Sequence, residues 1–234
     1  LEGRPVYVTM QGSTVGIRND RLEVRLDGEL QASYRLIDVS QLCVFGNVTV
    51  SSQAVRELMS NDLPILWFTY GGWFAGMAEG LPGKNVDLRI AQFGTPEQKR
   101  LEAARNMISG KIRNCRTLMR RNSRTEAERI GNQLKELAIQ ATKATSPGQL
   151  LGIEGTAARL YFASFPAMIG DNTRIDVSDF HENGRSRRPP PDPLNALLSF
   201  CYALLVKDLT VALASVGFDP YLGMFHKPRF GRPA

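Results

Sequence analysis

The spacing of apolar residues changes near residue 84 of the chain. Before that point the apolar residues form short extended runs bounded by turn residues, a pattern typical of β-strands. The predicted strands cover residues 6–8, 22–26, 42–45 and 63–68. One short helix is predicted over 51–59, where Ser51 stands in the capping position. This part of the chain is therefore predicted to be mainly β.

Beyond residue 94 the apolar positions recur every three or four residues, which is the spacing of helices. Thr95-Pro96 marks the start of a long helix that runs to about residue 121, and a second helix is predicted over about 125–144. Ser146, with Gln149 three residues later, begins a third helix. Asp192-Pro193 begins a fourth helix, which Gly217 ends.

These patterns predict an α+β fold in two parts. A small, β-sandwich-like N-terminal domain is expected over 1–83, a linker over 84–94, and a larger all-helical catalytic domain over 95–234. The start at Leu1 and the abrupt end at Ala234 indicate a fragment whose helical domain is truncated at its C-terminus.

Composition excludes several classes of protein. No uninterrupted apolar run approaches the ~18 residues that a membrane span needs, so no membrane association is predicted. The three cysteines, Cys43, Cys115 and Cys201, lie far apart and form no CxxC pair. They are interpreted as free thiols of a cytoplasmic protein, and they exclude an iron–sulfur site within these 234 residues.

The positive charge is concentrated in one segment. Residues 95–145 carry 12 Lys and Arg against 5 Asp and Glu, whereas the chain as a whole has a net charge of +6. Such a concentration favours a surface that binds a polyanion, and a solvated helical face is the alternative. Arg113, Arg116 and Arg120 are the predicted DNA contacts of this segment.

Glu154 is the carboxylate that the pattern singles out. It lies in the third predicted helix among small and apolar residues, where a charged group needs a partner. An ion pair with Arg159 or another basic residue is one interpretation, and a metal ligand is the other. His226, flanked by glycine, aromatic and basic residues, is better placed for a site than His181, although an ordinary surface role is common for a single histidine.

The fourth predicted helix carries a polar stripe on an otherwise apolar surface. Asn195, Ser199 and Tyr202 are spaced so that they point the same way. Three hydrogen-bonding side chains on one apolar face either form a buried network or line a site. The basic, proline-rich segment before this helix, with Arg185, Arg187 and Arg188, indicates that anions are handled nearby.

Three motifs in this order and spacing carry a resemblance. They are Gly152-Ile153-Glu154-Gly155 with Ala158-Arg159 and Tyr161-Phe162, the run from Arg187 to Tyr202, and Gly223 with Phe225-His226. Together they resemble the CRISPR-associated integrase, the catalytic subunit of spacer acquisition. The division into a small β domain and a larger helical domain is similar to that family as well.

The resemblance implies a metal site and a reaction. Glu154 and His226 would be ligands of Mg²⁺ or Mn²⁺, with a third, acidic ligand expected beyond Ala234. The implied reaction is a transesterification in which the 3′-hydroxyl of a captured DNA fragment attacks a phosphodiester of the repeat array. Phosphate contacts are expected from Arg187, Arg188, Arg229 and Arg232. Asn195, Ser199 and Tyr202 would orient the metal ligands, and hydrogen bonding between helices is an equal alternative for them.

The resemblance also implies partners. They are DNA, a second copy of the chain in a homodimer, a small ferredoxin-like companion subunit, and an iron–sulfur exonuclease, fused or separate, whose cluster would lie outside this chain. A cytoplasmic, prokaryotic protein is expected. Two other functions stay open: a structure-specific nuclease on branched DNA, and a catalytically silent DNA-binding scaffold.

Overall fold

The chain divides into two units in the computed structural model, which describes residues 3–80, 85–123, 127–169, 177–186 and 189–227. One unit contains residues 1–85 together with 203–217, and the other contains 86–202 together with 218–234. The mixture of strands and helices confirms the predicted α+β class.

The first unit contains two four-stranded sheets, one complete α-helix and the helical residues 203–217. The strands are β1 (Arg4–Val8), β2 (Thr14–Arg18), β3 (Arg21–Leu26), β4 (Glu29–Arg35), β5 (Val39–Phe45), β6 (Thr49–Val50), β7 (Ile65–Phe68) and β8 (Phe74–Ala78), and the helix is α1 (Ser52–Ser60). One sheet has the order β1-β5-β7-β8 and the other β4-β3-β2-β6. Ser51 caps α1 by accepting a hydrogen bond from the backbone N–H of Ala54 at 3.1 Å, as predicted.

A single apolar core lies between these two sheets. Leu22 of β3 and Val15 of β2 meet Leu42 of β5 and Ile65 of β7 there, and none of the four is exposed to solvent. Each buried side chain of this size contributes about 1.5–3 kcal/mol to the stability of the fold. The two sheets that share this core match the sandwich-like arrangement predicted for the β domain.

The helical unit contains the other described α-helices and a short 3₁₀ helix, Pro166–Met168. The α-helices are α2 (Val86–Phe93), α3 (Glu97–Asn122), α4 (Ala127–Lys143), α5 (Pro147–Ala163), α6 (Ser178–Asn183) and the first part of α7 (Pro193–Val216). α3 and α4 run antiparallel, because the hydroxyl of Ser109 donates to the carbonyl of Ala138 while the later Arg116 donates to the earlier Gly131. Their apolar faces and that of α5 enclose the core of this unit.

The structure differs from the predicted boundaries in two respects. The stretch predicted as a linker contains α2, and residues 203–217, predicted as helical domain, group with the β unit. Val211 of α7 belongs to an apolar cluster with Cys43 and Leu66, so this half of the helix forms part of the core of that unit.

One described helix is relevant to the prediction that no segment spans a membrane. α7 is long and apolar enough to cross a bilayer by length and composition alone, which does not overturn that prediction. The sequence prediction considered only uninterrupted apolar runs, whereas the mean hydropathy of α7 stays high despite its two charged residues. Those charges pair with each other, since Lys207 Nζ lies 2.6 Å from Asp208 Oδ1. The Lys207 ammonium is buried over the ring of Tyr7. Burial, the largest influence, lowers its pKa, but Asp208, Cys43 and Tyr7 together raise the pKa above its usual value.

Candidate metal and DNA-binding site

Glu154 is positioned by the second turn of α5. Ser146 caps this helix by accepting from the N–H of Gln149, and the Gln149 side chain accepts in turn from the N–H of Thr145 at 2.8 Å. On the face beside Glu154, Ile153 and Ala157 are buried in the core of the helical unit. The rigid helix therefore holds the Glu154 carboxylate at the edge of that core, where 14% of its side chain is exposed.

The partner of Glu154 is Lys111 of α3. Lys111 Nζ lies 2.5 Å from Glu154 Oε1, and 52% of the lysine side chain is exposed. An ion pair was one of the two interpretations of this carboxylate, but its partner is Lys111 rather than the nearby Arg159. The site thus consists of a largely buried carboxylate paired with an ammonium group on a half-exposed side chain.

His226 lies in the loop that follows α7. Its side chain is exposed, and its ring centroid lies 4.8 Å from that of Phe225. Phe225 packs against the core of the helical unit, the same cluster that contains Ile153 of α5. The histidine is therefore tethered to the unit that carries Glu154 by its immediate neighbour.

The polar stripe of α7 forms a hydrogen-bonded network around Arg185. Asn195 Oδ1 accepts from Arg185 Nη1 at 2.9 Å, and Ser199 Oγ accepts from the same guanidinium at 3.2 and 3.3 Å. The guanidinium also lies 5.7 Å from the ring of Tyr202 and 5.9 Å from that of Phe162. All three residues of the stripe thus face one side chain that comes from the basic segment.

Asn195 also binds the backbone of that segment. It is fully buried, donates to the carbonyl of Gly184 at 2.8 Å and accepts from the N–H of Ser186 at 2.9 Å. Asp192 caps α7 by accepting from both nitrogens of Asn195 at 2.7 Å. The hydrogen bonds of the described residues therefore link the stripe to segment 184–186 rather than to Glu154 or His226, and its predicted role in orienting metal ligands stays a prediction.

The arginine row of α3 lies away from Glu154. At 3.6 residues per turn, Arg113, Arg116 and Arg120 fall within about 60° of one another, and Lys111 falls on the opposite flank. Arg113 and Arg120 are exposed, whereas Arg116 donates to the carbonyl of Gly131 on α4 at 2.9 Å. Two of the three predicted DNA contacts are therefore accessible, and the third joins two helices.

Several predicted residues lie outside the part of the chain that the structure describes. They are Arg187, Arg188, Arg229 and Arg232, together with the side chain of His181. Within the described residues there is no group of three His, Cys, Asp or Glu side chains placed to hold a metal ion. The sequence prediction had placed only Glu154 and His226 in this chain and the third ligand beyond Ala234.

The three cysteines are free thiols, as predicted. Cys43 is buried in the β unit, and burial raises the pKa of its thiol to about 11. Cys115 on α3 is half-buried, and burial raises its pKa as well. Thiols with raised pKa values are poor nucleophiles and poor metal ligands at neutral pH.

The family described as CRISPR associated protein Cas1 matches residues 6–234 of the chain. The chain belongs to the Cas1 family. This confirms the resemblance seen in the sequence motifs around Glu154, Asn195 and His226.

Members of the Cas1 family extend this finding. The chain is 41% identical over 242 residues to a "CRISPR-associated exonuclease Cas4/endonuclease Cas1 fusion" of Geobacter sulfurreducens, and the match covers 99% of the chain but 43% of that relative. The chain thus spans less than half the length of this relative and corresponds to its Cas1 part.

Solved Cas1 structures share the fold. A Cas1 protein from Thermotoga maritima superposes with a TM-score of 0.78 at 23% identity, covering 100% of the chain and 72% of that protein. A chain of a "Cas6-RT-Cas1--Cas2 complex" superposes with a TM-score of 0.75 at 24% identity, covering 100% of the chain and 26% of the other. At these identities the superpositions establish the fold alone, which is the Cas1 arrangement of strands followed by helices.

Proposed function

We propose that this Cas1 chain is the catalytic part of a metal-dependent DNA integrase of CRISPR adaptation. It joins the 3′-hydroxyl ends of captured DNA to the repeat array. The observation that carries the proposal is the Glu154 carboxylate, fixed on α5 at the edge of the core and already holding a cation, Lys111 Nζ, at 2.5 Å. The match to the Cas1 family over residues 6–234 supports the class of reaction.

The residues fit a divalent metal ion. Oxygen donors suit Mg²⁺, and a set that combines a carboxylate with an imidazole suits Mn²⁺ slightly better. Glu154 and His226 would hold the ion, and an acidic residue beyond Ala234 would complete the set. Lys111 occupies the carboxylate with a single positive charge, and its half-exposed side chain would move aside at little cost. When bound, the ion would polarise the scissile phosphate and stabilise charge on the attacking and leaving oxygens.

The side chains of the chain position the DNA for an exchange of one phosphodiester bond for another. The 3′-oxygen of the captured fragment forms a bond to phosphorus, and the bond from phosphorus to the 3′-oxygen of the repeat breaks. The proton of the attacking hydroxyl passes to solvent, and the leaving oxygen takes one up, so that no bond energy is consumed overall. Arg187, Arg188, Arg229 and Arg232 would hold phosphate oxygens through their paired N–H groups.

The proposed partners follow from the same reaction. DNA is the substrate on both sides of the exchange, and a homodimer with a small companion subunit would hold two fragment ends at once. The Cas4 fusion of the Geobacter relative and the Cas2 subunit named in the solved complex are the models for an exonuclease and a companion subunit.

Strand transfer tests the proposal. The protein, with its companion subunit, is mixed with a DNA fragment bearing free 3′-hydroxyls and a repeat-containing plasmid in Mn²⁺ or Mg²⁺. Glu154→Ala and His226→Ala should each lower the amount of joined product by at least ~100-fold, the scale of losing one electrostatic contributor to a reaction. Glu136→Ala is the matched control, because Glu136 is an exposed carboxylate on α4.

The products separate the proposal from its alternatives. Joined DNA that depends on the metal and on both residues supports the integrase. Cleaved branched DNA without joined product would instead support a structure-specific nuclease. Activity that survives both alanine variants would contradict a catalytic role for Glu154 and His226 and would favour a DNA-binding scaffold.

A further inference from the structure

Gln92 of α2 is a buried polar residue in a helix most of whose large apolar residues are exposed. Only 5% of Gln92 is exposed, whereas Val86, Ile90 and Phe93 are 58%, 65% and 59% exposed. An amphipathic helix ordinarily buries its apolar stripe and exposes glutamine. The burial of Gln92 therefore reflects its hydrogen bonds rather than apolar packing.

All of these hydrogen bonds go to the segment that follows α7. Gln92 Nε2 donates to the carbonyls of Asp219 and Leu222, both at 2.9 Å, and Gln92 Oε1 accepts from the N–H of Asp219 at 2.8 Å. Both halves of the amide are thus engaged with the backbone of one short loop. The loop is partly buried, and outside a helix or sheet its backbone groups have few backbone partners, so the Gln92 side chain supplies hydrogen bonds that regular structure would otherwise provide.

The same loop leads directly to His226. The carboxylate of Asp219 accepts from the N–H of Tyr221 at 2.8 Å, which closes the loop into a turn around the Gln92 contacts. Leu222 precedes His226 by four residues, a reach of at most ~14 Å. Phe225, one residue before the histidine, packs against the helical core. The segment is therefore held at two points, by Gln92 and by Phe225, immediately before His226.

We propose that Gln92 is a positioning residue for His226. By fixing the backbone of 219–222, it holds the imidazole where it meets the metal that Glu154 also binds. This inference rests on the proposed function, in which His226 is a metal ligand. Without the Gln92 contacts the loop would gain conformational freedom, and metal binding would have to order it again.

Binding of Mn²⁺ alone to the 234-residue protein tests the proposal without any measurement of activity. The free-ion signal in electron paramagnetic resonance gives the affinity, and paramagnetic broadening of the His226 ring resonances in NMR gives the ligand. The chain has two histidines, so the His226→Ala variant assigns the resonance. Gln92→Leu should weaken Mn²⁺ binding by about 10- to 100-fold, which is the cost of losing a residue that orients a metal ligand, and should abolish the broadening at equal Mn²⁺ concentration.

A conservative variant and a structural control separate positioning from general destabilisation. Gln92→Glu keeps the acceptor for the N–H of Asp219 but loses the donor to the two carbonyls, so its affinity should fall between those of the wild type and Gln92→Leu. Ser109→Ala removes a buried hydrogen bond of 3.0 Å to Ala138 in the same unit. It should lower the unfolding midpoint while leaving the Mn²⁺ affinity within about twofold, because the hydroxyl of Ser109 binds α4 and not the 219–222 loop.

Three results would overturn the inference. Gln92→Leu could bind Mn²⁺ like the wild type while His226→Ala does not, which would show that the histidine needs no help from Gln92. Ser109→Ala could weaken binding as much as Gln92→Leu, which would assign the loss to unfolding. Wild-type binding could be independent of His226, in which case the metal-ligand role of the proposed function fails first and the positioning role fails with it.

Discussion

Glu154 and His226, the two predicted metal ligands, are held in place by different means. Glu154 stands within α5, between residues whose side chains are buried in the helical core. His226 stands in a loop, and the contacts that hold its segment come from Gln92, more than a hundred residues earlier in the chain. One ligand is positioned by a continuous helix, the other by a side chain that binds the backbone of a distant loop.

Because of this difference, different substitutions are expected to displace each predicted ligand. A helix transmits position through its regular backbone hydrogen bonds, so Glu154 stays in place as long as α5 stays folded. A loop has no such repeat, and its position depends on the few contacts it makes. Substitutions far from His226 in sequence should therefore disturb it, whereas Glu154 should be sensitive to changes of its own side chain.

The basic segment before α7 is held in the same way as the loop before His226, by a side chain that binds its backbone. Asn195 binds the backbone of 184–186 with its amide, as Gln92 binds that of 219–222. In both cases a buried amide uses its donor and its acceptor on irregular backbone. Loops held in this way flank α7 at both of its ends.

The largest effect on stability is expected from Asn195→Ala. This change removes the side-chain contacts with Gly184, Ser186, Arg185 and Asp192 and leaves partly buried backbone groups without these partners. The free energy of unfolding should fall by about 3 kcal/mol, measured by urea denaturation. Ser199→Ala loses two longer contacts to Arg185 and should cost less than about 1 kcal/mol. If both variants lose the same free energy of unfolding, the contacts of Asn195 with the loop backbone add no stability, and the comparison with Gln92 fails.

A smaller effect is expected from the exposed arginines of α3. Arg113→Ala with Arg120→Ala should weaken DNA binding by about 10-fold at low salt and reduce the slope of log affinity against log salt by about 2, because each lost phosphate contact releases one fewer counterion. Metal binding at Glu154 should not change, since these arginines lie on the other flank of α3. Arg18→Ala with Arg56→Ala is the control, with the same loss of charge from exposed positions of the β unit. If neither double variant changes the slope of log DNA affinity against log salt, the exposed arginines of α3 form a solvated face and do not contact DNA.

The smallest effect is expected from Lys111→Met, which probes the helix-held ligand directly. If α5 rather than the ion pair positions Glu154, the free energy of unfolding should change by less than about 1 kcal/mol, because the lysine is half exposed and well screened. Mn²⁺ affinity should rise about threefold once the competing ammonium is gone. A loss of stability well above that limit, or weaker Mn²⁺ binding, would show that Lys111 holds the carboxylate in place.

Much of the fold was predictable because it rests on local signals. The limits of α5 and α7 follow from Ser146, Asp192 and Gly217, and Gly217 has the positive φ of 95° that ends a helix without strain. β4 was missed although Leu30, Ala32 and Tyr34 alternate with polar residues along it, and β2, β6 and β8 were missed as well. α2 was missed although Val86, Ile90 and Phe93 have helical spacing, and only the structure shows that this stripe faces solvent while Gln92 is buried.

The candidate site was predictable only in its parts. The sequence indicated Glu154, His226 and the direction of the Asn195 stripe, since each depends on residue type and helical spacing. It did not indicate Lys111 as the partner of Glu154, Arg185 as the centre of the stripe, or Gln92 as the support of the histidine loop. Those pairs join residues 10 to 130 positions apart, and no local pattern records them.

By itself, the sequence determined the α+β class, the approximate limits of the long helices, half of the strands, and which family the motifs resemble. These properties depend on backbone hydrogen bonds and side-chain periodicity over a few residues. Only the tertiary structure decided that residues 203–217 complete the β core, that Lys111 neutralises Glu154, and that Gln92 holds the loop before His226. Such contacts form when distant segments meet, and the burial that makes them strong exists only once the core has closed around them.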